Sequence, residues 1–243
     1  MDRLTGVHAV REALRAGRPL DRVVIARGRH GERIAEILRL ARSRGVPVRF
    51  ERRELLDRMA GGTHHQGVVA LTAAETTVAL EDLLARASPP GLLVLLDGVE
   101  DPRNLGAVIR TALAAGASGV VIPERRAAGL TEAVAQAAAG ALSYLPVARV
   151  TNLAAAIERI QAAGYWVVGF DEKAERPYTA LDLTRPVALV FGGEGRGLRE
   201  LTRRRCDELA AIPTVGPIRS LNVSVAAGVV LFEALRQRQT QRS

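Results

Sequence analysis

The sequence predicts an α/β protein in two parts: a small basic α/β unit, then a larger unit built on a parallel sheet. Three observations carry this. Helical and strand-like stretches alternate along nearly all of the 243 residues, the order that packs helices over a sheet. Residues 92–96 and 187–191 are apolar at every position, as strands covered on both faces are. Charge is also uneven, because residues 1–72 hold 15 arginines against 8 acidic residues while the whole chain carries +8. Residues 73–90 (AAETTVALEDLLARASPP) read as a linker with one short helix, closed by Pro89-Pro90. The expected units are therefore residues 1–72 and 91–243.

In the first unit, residues 5–17 place Val7, Val10 and Leu14 on one side of a helix, and residues 22–26 form a strand. Residues 33–42 carry Ile34, Ile37, Leu38 and Ala41 at the spacing of a helix face. A strand at 47–50, a helix at 51–59 and a closing strand at 67–71 complete a small sandwich. Arg29, Arg42, Arg44, Arg49, Arg52, Arg53 and Arg58 must lie mainly outside it. Acids do not balance them, which suits RNA or another polyanion. His64 and His65 stand in the turn before the last strand. No cysteine or second histidine pair lies at a zinc spacing, so no metal is expected.

In the second unit, the strand at 92–96 is followed by a polar loop at 97–104 and a helix from about 105 to 115. Strands are expected at 119–122, 165–170, 187–191 and 209–212, with helices at 131–142, 153–163 and 198–205. The chain closes in a helix that is apolar on every side, with Val223, Val225, Ala226, Val229, Val230 and Leu231. Such a helix belongs in a core or an interface. In parallel sheets, ligands bind beyond the carboxyl ends of the strands, and three loops there carry polar groups.

The first loop is DGVEDPRN (residues 97–104), leading to Arg110. Asn104 can cap the helix that follows. Arg103 and Arg110 share a helix face if the helix begins early, and two guanidiniums there suit a phosphate or a ribose. The second loop is GGEGRG (residues 192–197), four glycines in six residues, which lets backbone approach a flat ligand closely. Its spacing is neither the dinucleotide nor the phosphate-loop pattern. Glu194 within it favours hydroxyl or amine donors, or a sulfonium, over a pyrophosphate. The third loop carries Pro213, Gly216 and Pro217, then Ser220 and Asn222, which can cap the last helix or hold a ligand's polar edge. No G-x-S-x-G elbow is present, so serine hydrolase chemistry is not expected.

Composition narrows the class further. With 48% hydrophobic and 25% charged residues, the chain matches a soluble globular protein. No apolar run reaches the roughly 18 residues of a membrane span, and the first residues lack a signal peptide's apolar core. The single cysteine, Cys206, excludes an internal disulfide framework and fits a reducing compartment. A cytoplasmic protein with no membrane or DNA partner is expected.

The three stretches DGVEDPRNLGAVIRTALAAG (97–116), LVFGGEGRGL (189–198) and IPTVGPIRSLNVSVAAGVVLFEAL (212–235) resemble the SpoU/TrmH branch of the SPOUT RNA methyltransferases. The N-terminal GVHAVREAL and HQGVVA are similar to the substrate-binding extension of RlmB-type 23S rRNA (guanosine-2'-O-)methyltransferases. The resemblance implies a C-terminal SPOUT domain with a deep trefoil knot, S-adenosyl-L-methionine held in the knot, and a homodimer packed through the last helix. It also implies 2'-O-methylation of an RNA ribose by in-line attack on the cofactor's methyl group, most naturally on a guanosine of 23S rRNA in the peptidyl transferase centre. Carried over by motif position, the cofactor contacts are Leu189, Val190, Gly192, Gly193, Gly195, Gly197, Ile212, Pro213, Gly216, Ser220, Leu221, Asn222 and Val223. Leu189, Val190 and Leu221 would supply apolar contacts to the adenine. The candidate catalytic set is Arg110, Asn104, Glu194, Ser220 and Asn222. Gly193 departs from the pattern, since relatives often have Asn before the glutamate. A tRNA or other rRNA ribose is the alternative substrate, and an RNA-binding assembly factor without catalysis is the alternative class.

Overall fold

The computed structural model describes residues 3–17, 20–62, 64–72, 77–216 and 220–241. The chain divides into two compact units, Met1–Thr76 and Thr77–Ser243. Residues 73–76 of the expected linker, and Pro217 of the third loop, lie outside the described residues.

The first unit runs β1 (Arg3–Thr5), α1 (Val7–Arg15), β2 (Leu20–Ala26), α2 (Glu32–Ser43), β3 (Val48–Glu51), α3 (Arg53–Ala60) and β4 (Val68–Thr72). Its sheet has the order β1-β4-β2-β3. Only β2 and β3 are parallel. Alternation along β2 makes the layers. Val23 and Ile25 join the core under α1 and α2, while Val24 and Ala26 face Leu56 and Ala60 of α3. Each fully buried large side chain, such as Ile25, Ile37 or Leu56, contributes roughly 1.5–3 kcal/mol. His65 is buried, with Nε2 2.7 Å from Asp57 Oδ1 and with Nδ1 accepting the Gly67 N–H at 3.0 Å. It ties α3 to the start of β4.

The second unit contains α4 (Leu80–Arg86), β5 (Leu92–Asp97), α5 (Pro102–Ala114), β6 (Gly119–Pro123), α6 (Glu132–Ala138), β7 (Val147–Val150), α7 (Leu153–Ala162), β8 (Trp166–Phe170), β9 (Val187–Gly192), α8 (Glu200–Arg205), β10 (Glu208–Ala210) and α9 (Val223–Thr240). Its six strands are all parallel, in the order β10-β8-β9-β5-β6-β7. Leu92, Val94 and Leu96 of β5 pack under α5, α6 and α9, while Leu93 and Leu95 face α4 and α7. Both sheet faces are thus covered, which is why β5 and β9 lack polar alternation.

Three differences from the sequence reading have local causes. Residues 77–90 belong to the second unit: Val78 N–H donates to Val147 O at 3.0 Å, and Leu80 and Leu83 of α4 are buried. The helix at 131–142 stops at Ala138 because Ala139 (φ 48) and Gly140 (φ 89) turn left-handed, and a short 3-10 turn follows. Helix α5 begins three residues early, with Asp101 as its cap and Pro102 in its first turn, the preferred place for proline.

At the far end of α9, Arg238 donates to the carbonyls of Leu183, Pro90, Gly91 and Arg185. Gln237 bridges Leu181 O and Leu183 N. These contacts hold the helix along the sheet and so set the position of its N-terminus. Among the described residues, no helix is long and apolar enough to cross a membrane.

Candidate active site

The carboxyl ends of β8, β9 and β5 lie side by side, ending in Phe170, Gly192 and Asp97. The glycine loop leaves β9 here, and its glycines serve two different needs. A Cβ on Gly192 would overlap the Gly197 carbonyl, and one on Gly193 would overlap the Gly98 carbonyl. Close backbone packing therefore excludes side chains at both positions. Gly195 (φ 74) and Gly197 (φ 62) instead need left-handed backbone, and a Cβ on either would point into open space. The Gly197 N–H donates to Gly193 O at 3.1 Å, folding the loop flat.

The three polar loops meet in one hydrogen-bonded cluster. Asn104 Nδ2 donates to Glu194 Oε1, and Asn222 Nδ2 donates to Asn104 Oδ1 at 3.1 Å. Asn222 Oδ1 accepts from Ser224 N–H at 2.9 Å and from Ser224 Oγ at 2.6 Å, so the same side chain caps α9. Capping and site building are one arrangement here. The expectation that Asn104 caps α5 is corrected: Asp101 Oδ1 accepts the Arg103 N–H at 2.8 Å. With the cap supplied by Asp101, the Asn104 amide is free to join the other two loops. Its 8% exposure leaves little room for water to replace either bond.

A cleft of about 730 Å³ opens beside this cluster. Of the expected cofactor residues, Gly192, Gly193, Gly195, Gly197, Ile212, Ser220, Leu221, Asn222 and Val223 line it, together with Glu194. Leu189 and Val190 do not. Both are fully buried and point into opposite cores of the sheet, so the apolar contacts expected of their side chains fall elsewhere. Pro213 and Gly216 are exposed beyond the cleft lining. Arg110 lies on the exposed side of α5 and shares that helix with Arg103. It too is outside the cleft lining.

Sequence reasoning missed part of the lining. Phe170 and Phe191 stack with centroids 4.8 Å apart and planes 9° from parallel, and both line the cleft. Their signal was position, each near the carboxyl end of a buried strand. Lys173, Asp171 and Arg203 border the same cleft, with Arg203 Nε 3.3 Å from Asp171 Oδ2. Cys206 lies behind the loop, its Sγ donating to Thr202 O at 3.3 Å. Burial, helped by Asp207 and Asp97, pushes its thiol up to about 12, so it stays neutral at ordinary pH.

Asp97 is the buried charge of the site. Its Oδ2 accepts the Arg199 N–H at 2.8 Å, and its carbonyl accepts the Gly193 N–H at 2.9 Å. The cleft thus combines an aromatic pair, a wall of glycine backbone, and a charged rim on which the carboxylates of Asp171, Glu172, Glu194 and Glu200 face the cations Lys173, Arg196 and Arg203, with the Asn222 amide and the Ser220 hydroxyl beside them. Such a site suits a flat, partly apolar molecule that carries charged groups of both signs.

Residues 91–232 match the model of the SpoU rRNA Methylase family, and residues 3–78 match that of RNA 2'-O ribose methyltransferase substrate binding. The 23S rRNA (guanosine-2'-O-)-methyltransferase RlmB of Pseudomonas putida is 44% identical over 247 residues, covering 100% of this chain and 99% of that protein. The enzyme of the same name from Pseudomonas aeruginosa is 46% identical, covering 98% of this chain and 97% of its own. Among solved structures, the AdoMet-bound rRNA methyltransferase of Sinorhizobium meliloti is 30% identical, with a TM-score of 0.70 over 96% of this chain and 86% of its own. The SpoU methyltransferase AviRb of Streptomyces viridochromogenes is 28% identical, with a TM-score of 0.70 over 98% of this chain and 90% of its own.

Proposed function

The chain belongs to the SpoU rRNA Methylase family, and from that premise we propose that it methylates the 2'-hydroxyl of a guanosine ribose in 23S rRNA, using S-adenosylmethionine. The observation that carries this reading is the closure of Glu194, Asn104 and Asn222 into one cluster at the mouth of a glycine-walled cleft. When bound, S-adenosylmethionine supplies a methyl group made electrophilic by sulfonium charge. The cleft suits it. Phe191, Ile212, Leu221 and Ala226 offer an apolar seat for adenine, in place of Leu189 and Val190. The backbone of residues 192–197 and of Ile212 lines the cleft beside its polar edges, and the Glu194 carboxylate complements positive charge.

The chain's own residues then act on the RNA. Asn104 fixes Glu194 and Asn222, so the carboxylate and amide are oriented before substrate arrives. Ser220, at the same mouth, adds a hydroxyl. These groups hold the ribose and cofactor in line rather than carry protons. Arg110 faces solvent on α5, where it binds an RNA phosphate and stabilises the alkoxide developing at O2'. A guanidinium yields a proton reluctantly, which makes it a poor base.

The first unit serves as the RNA clamp. Among the described residues, Arg29, Arg42, Arg49, Arg52, Arg53 and Arg58 are exposed and have no acidic partner, and they are available to phosphates. The second unit pairs as a homodimer through the outer side of α9, where Val225 and Phe232 are each 51% exposed. The trefoil knot of the family falls, on this reading, in the stretch from β9 to α9. The enzyme acts in the cytoplasm, where rRNA is made and assembled.

The test is transfer of a labelled methyl group to unmethylated 23S rRNA and, separately, to total tRNA. The labelled site is then mapped by the resistance of its 3' phosphodiester to alkali. Label at a single alkali-resistant guanosine of 23S rRNA is the expected result. Label confined to tRNA would overturn the substrate, and label at a base rather than a ribose would overturn the reaction.

A further inference from the structure

We infer that Asp97 is a positioning residue for S-adenosylmethionine, fixing both ends of the glycine loop that walls the cofactor cleft. The inference rests on the cofactor reading above and adds to it a residue that does not line the cleft.

The Asp97 side chain is wholly excluded from water, with 0% exposure. A carboxylate is costly to bury unless its oxygens are matched, and a strand that reads Leu92, Leu93, Val94, Leu95, Leu96 has no packing need for one at its end. What Asp97 does instead is grip the loop. Its carbonyl accepts the Gly193 N–H at 2.9 Å, where the loop begins, and its Oδ2 accepts the Arg199 N–H at 2.8 Å, where the loop ends. Oδ1 lies 3.5 Å from Arg199 Nε and has no hydrogen-bond partner of its own. The Arg199 guanidinium also lies over Gly98, 3.1 Å from where a Cβ there would sit.

Asp97 continues the parity of Leu93 and Leu95, which face α4 and α7. Asn104 grips the loop through Glu194 from the segment that leads into α5. One short stretch of chain, residues 97–104, therefore holds the loop at Gly193 and Glu194 and again at Arg199, just past its end. The carbonyl bond to Gly193 survives any substitution of Asp97. The carboxylate bond to Arg199 does not, so a change of side chain releases one end of the loop while leaving the other fixed. Asn retains an acceptor for the Arg199 N–H but presents its amide to the guanidinium and loses the charge. Ala loses the acceptor altogether.

The experiment titrates S-adenosylmethionine by calorimetry into full-length wild type, Asp97→Asn, Asp97→Ala and Arg199→Ala. It also measures kcat and the KM for each substrate. Cofactor affinity should fall about tenfold for Asp97→Asn, which weakens the bond to the Arg199 N–H by removing its charge, and about a hundredfold for Asp97→Ala, which removes the bond itself. For Arg199→Ala, which keeps its N–H, the fall should stay below about threefold, since an exposed guanidinium adds little. The KM for RNA, and kcat at saturating cofactor, should stay within about twofold, separating a positioning role from loss of fold. Cofactor affinity unchanged in Asp97→Asn and Asp97→Ala, with wild type binding normally, would overturn the inference alone. Joint loss of cofactor affinity, RNA affinity and melting temperature would also overturn it. Should Asp97→Ala not fold, the near-isosteric Asp97→Asn decides. A wild type that binds no S-adenosylmethionine would overturn the functional reading, and this inference with it.

Discussion

Replacing Asn104 by alanine should cost more than any other single deletion in the polar cluster, because that amide is its middle member. The substitution removes one bond to a carboxylate and one from an amide. Such bonds contribute roughly 1.5–3 and 0.5–1.5 kcal/mol. Glu194 and Asn222 are both exposed and can hydrate once released, which favours the lower ends and a total of about 2–3 kcal/mol. At about 1.4 kcal/mol per tenfold change, kcat/KM should drop roughly 30- to 150-fold. The assay is steady-state transfer of labelled methyl from S-adenosylmethionine to rRNA. Asn104→Asp sharpens the test by setting a second carboxylate against Glu194. Two carboxylates so close disfavour joint ionisation and raise one pKa. Below that raised value the protonated carboxyl can donate where the amide did, so this variant alone should recover as pH falls. An Asn104→Ala enzyme within about threefold of wild type would refute the reasoning, as would an Asn104→Asp enzyme that loses further activity on acidification.

Arg110→Ala should abolish methyl transfer while leaving S-adenosylmethionine affinity near normal. Collapse of cofactor binding in calorimetry would remove Arg110 from the RNA side. Changing Arg29, Arg52 and Arg53 together to alanine should weaken RNA binding and reduce its salt slope by roughly 2–3, if each neutralises one phosphate. An unchanged slope would remove that surface from the interface. Burial raises the Cys206 thiol from 9.0 to about 12. The folded state then holds this proton more tightly, so the thiol contributes no pH dependence below about 9 and a loss of stability as pH rises from about 9 to 12. Alkylation by iodoacetamide at pH 8 should proceed only on unfolding, and rapid labelling of the folded protein would contradict its burial.

Much of this was legible in the residue order, for reasons that are themselves physical. Strands β5 and β9 announce themselves because burial on both faces leaves only apolar residues over 92–96 and 187–191. The three site loops stand out because glycine and small polar residues interrupt apolar runs. What stayed hidden was either too short to carry a period, as with β1 and β7 at three and four residues, or depended on partners far along the chain. Asn104 looked like a helix cap because its type suits one, and Pro102 was the better clue to where α5 begins. Its true partners lie 90 and 118 residues away, a distance no local pattern spans. Leu189 and Val190 belong to the right motif, yet the two faces of a central strand carry their side chains away from the cleft. Asp97 read as the first residue of a polar loop, whereas it is the last of a buried strand.

The strand order also has a consequence for how the protein comes into being. β5 and β6 are neighbours in both sequence and sheet, so they can pair early, but the other edge of β5 waits for β9. At roughly 5–20 residues per second, the stretch between them takes on the order of 5–20 s to synthesise. For that interval an apolar strand offers an unpaired edge, the kind of surface on which nascent chains associate wrongly. The Asn222 amide arrives later still and completes the cluster. A chain stopped by a premature termination codon after α8 would hold nearly the whole sheet yet lack the last side chain of the site. It would therefore burden the cell's chaperones without modifying any RNA.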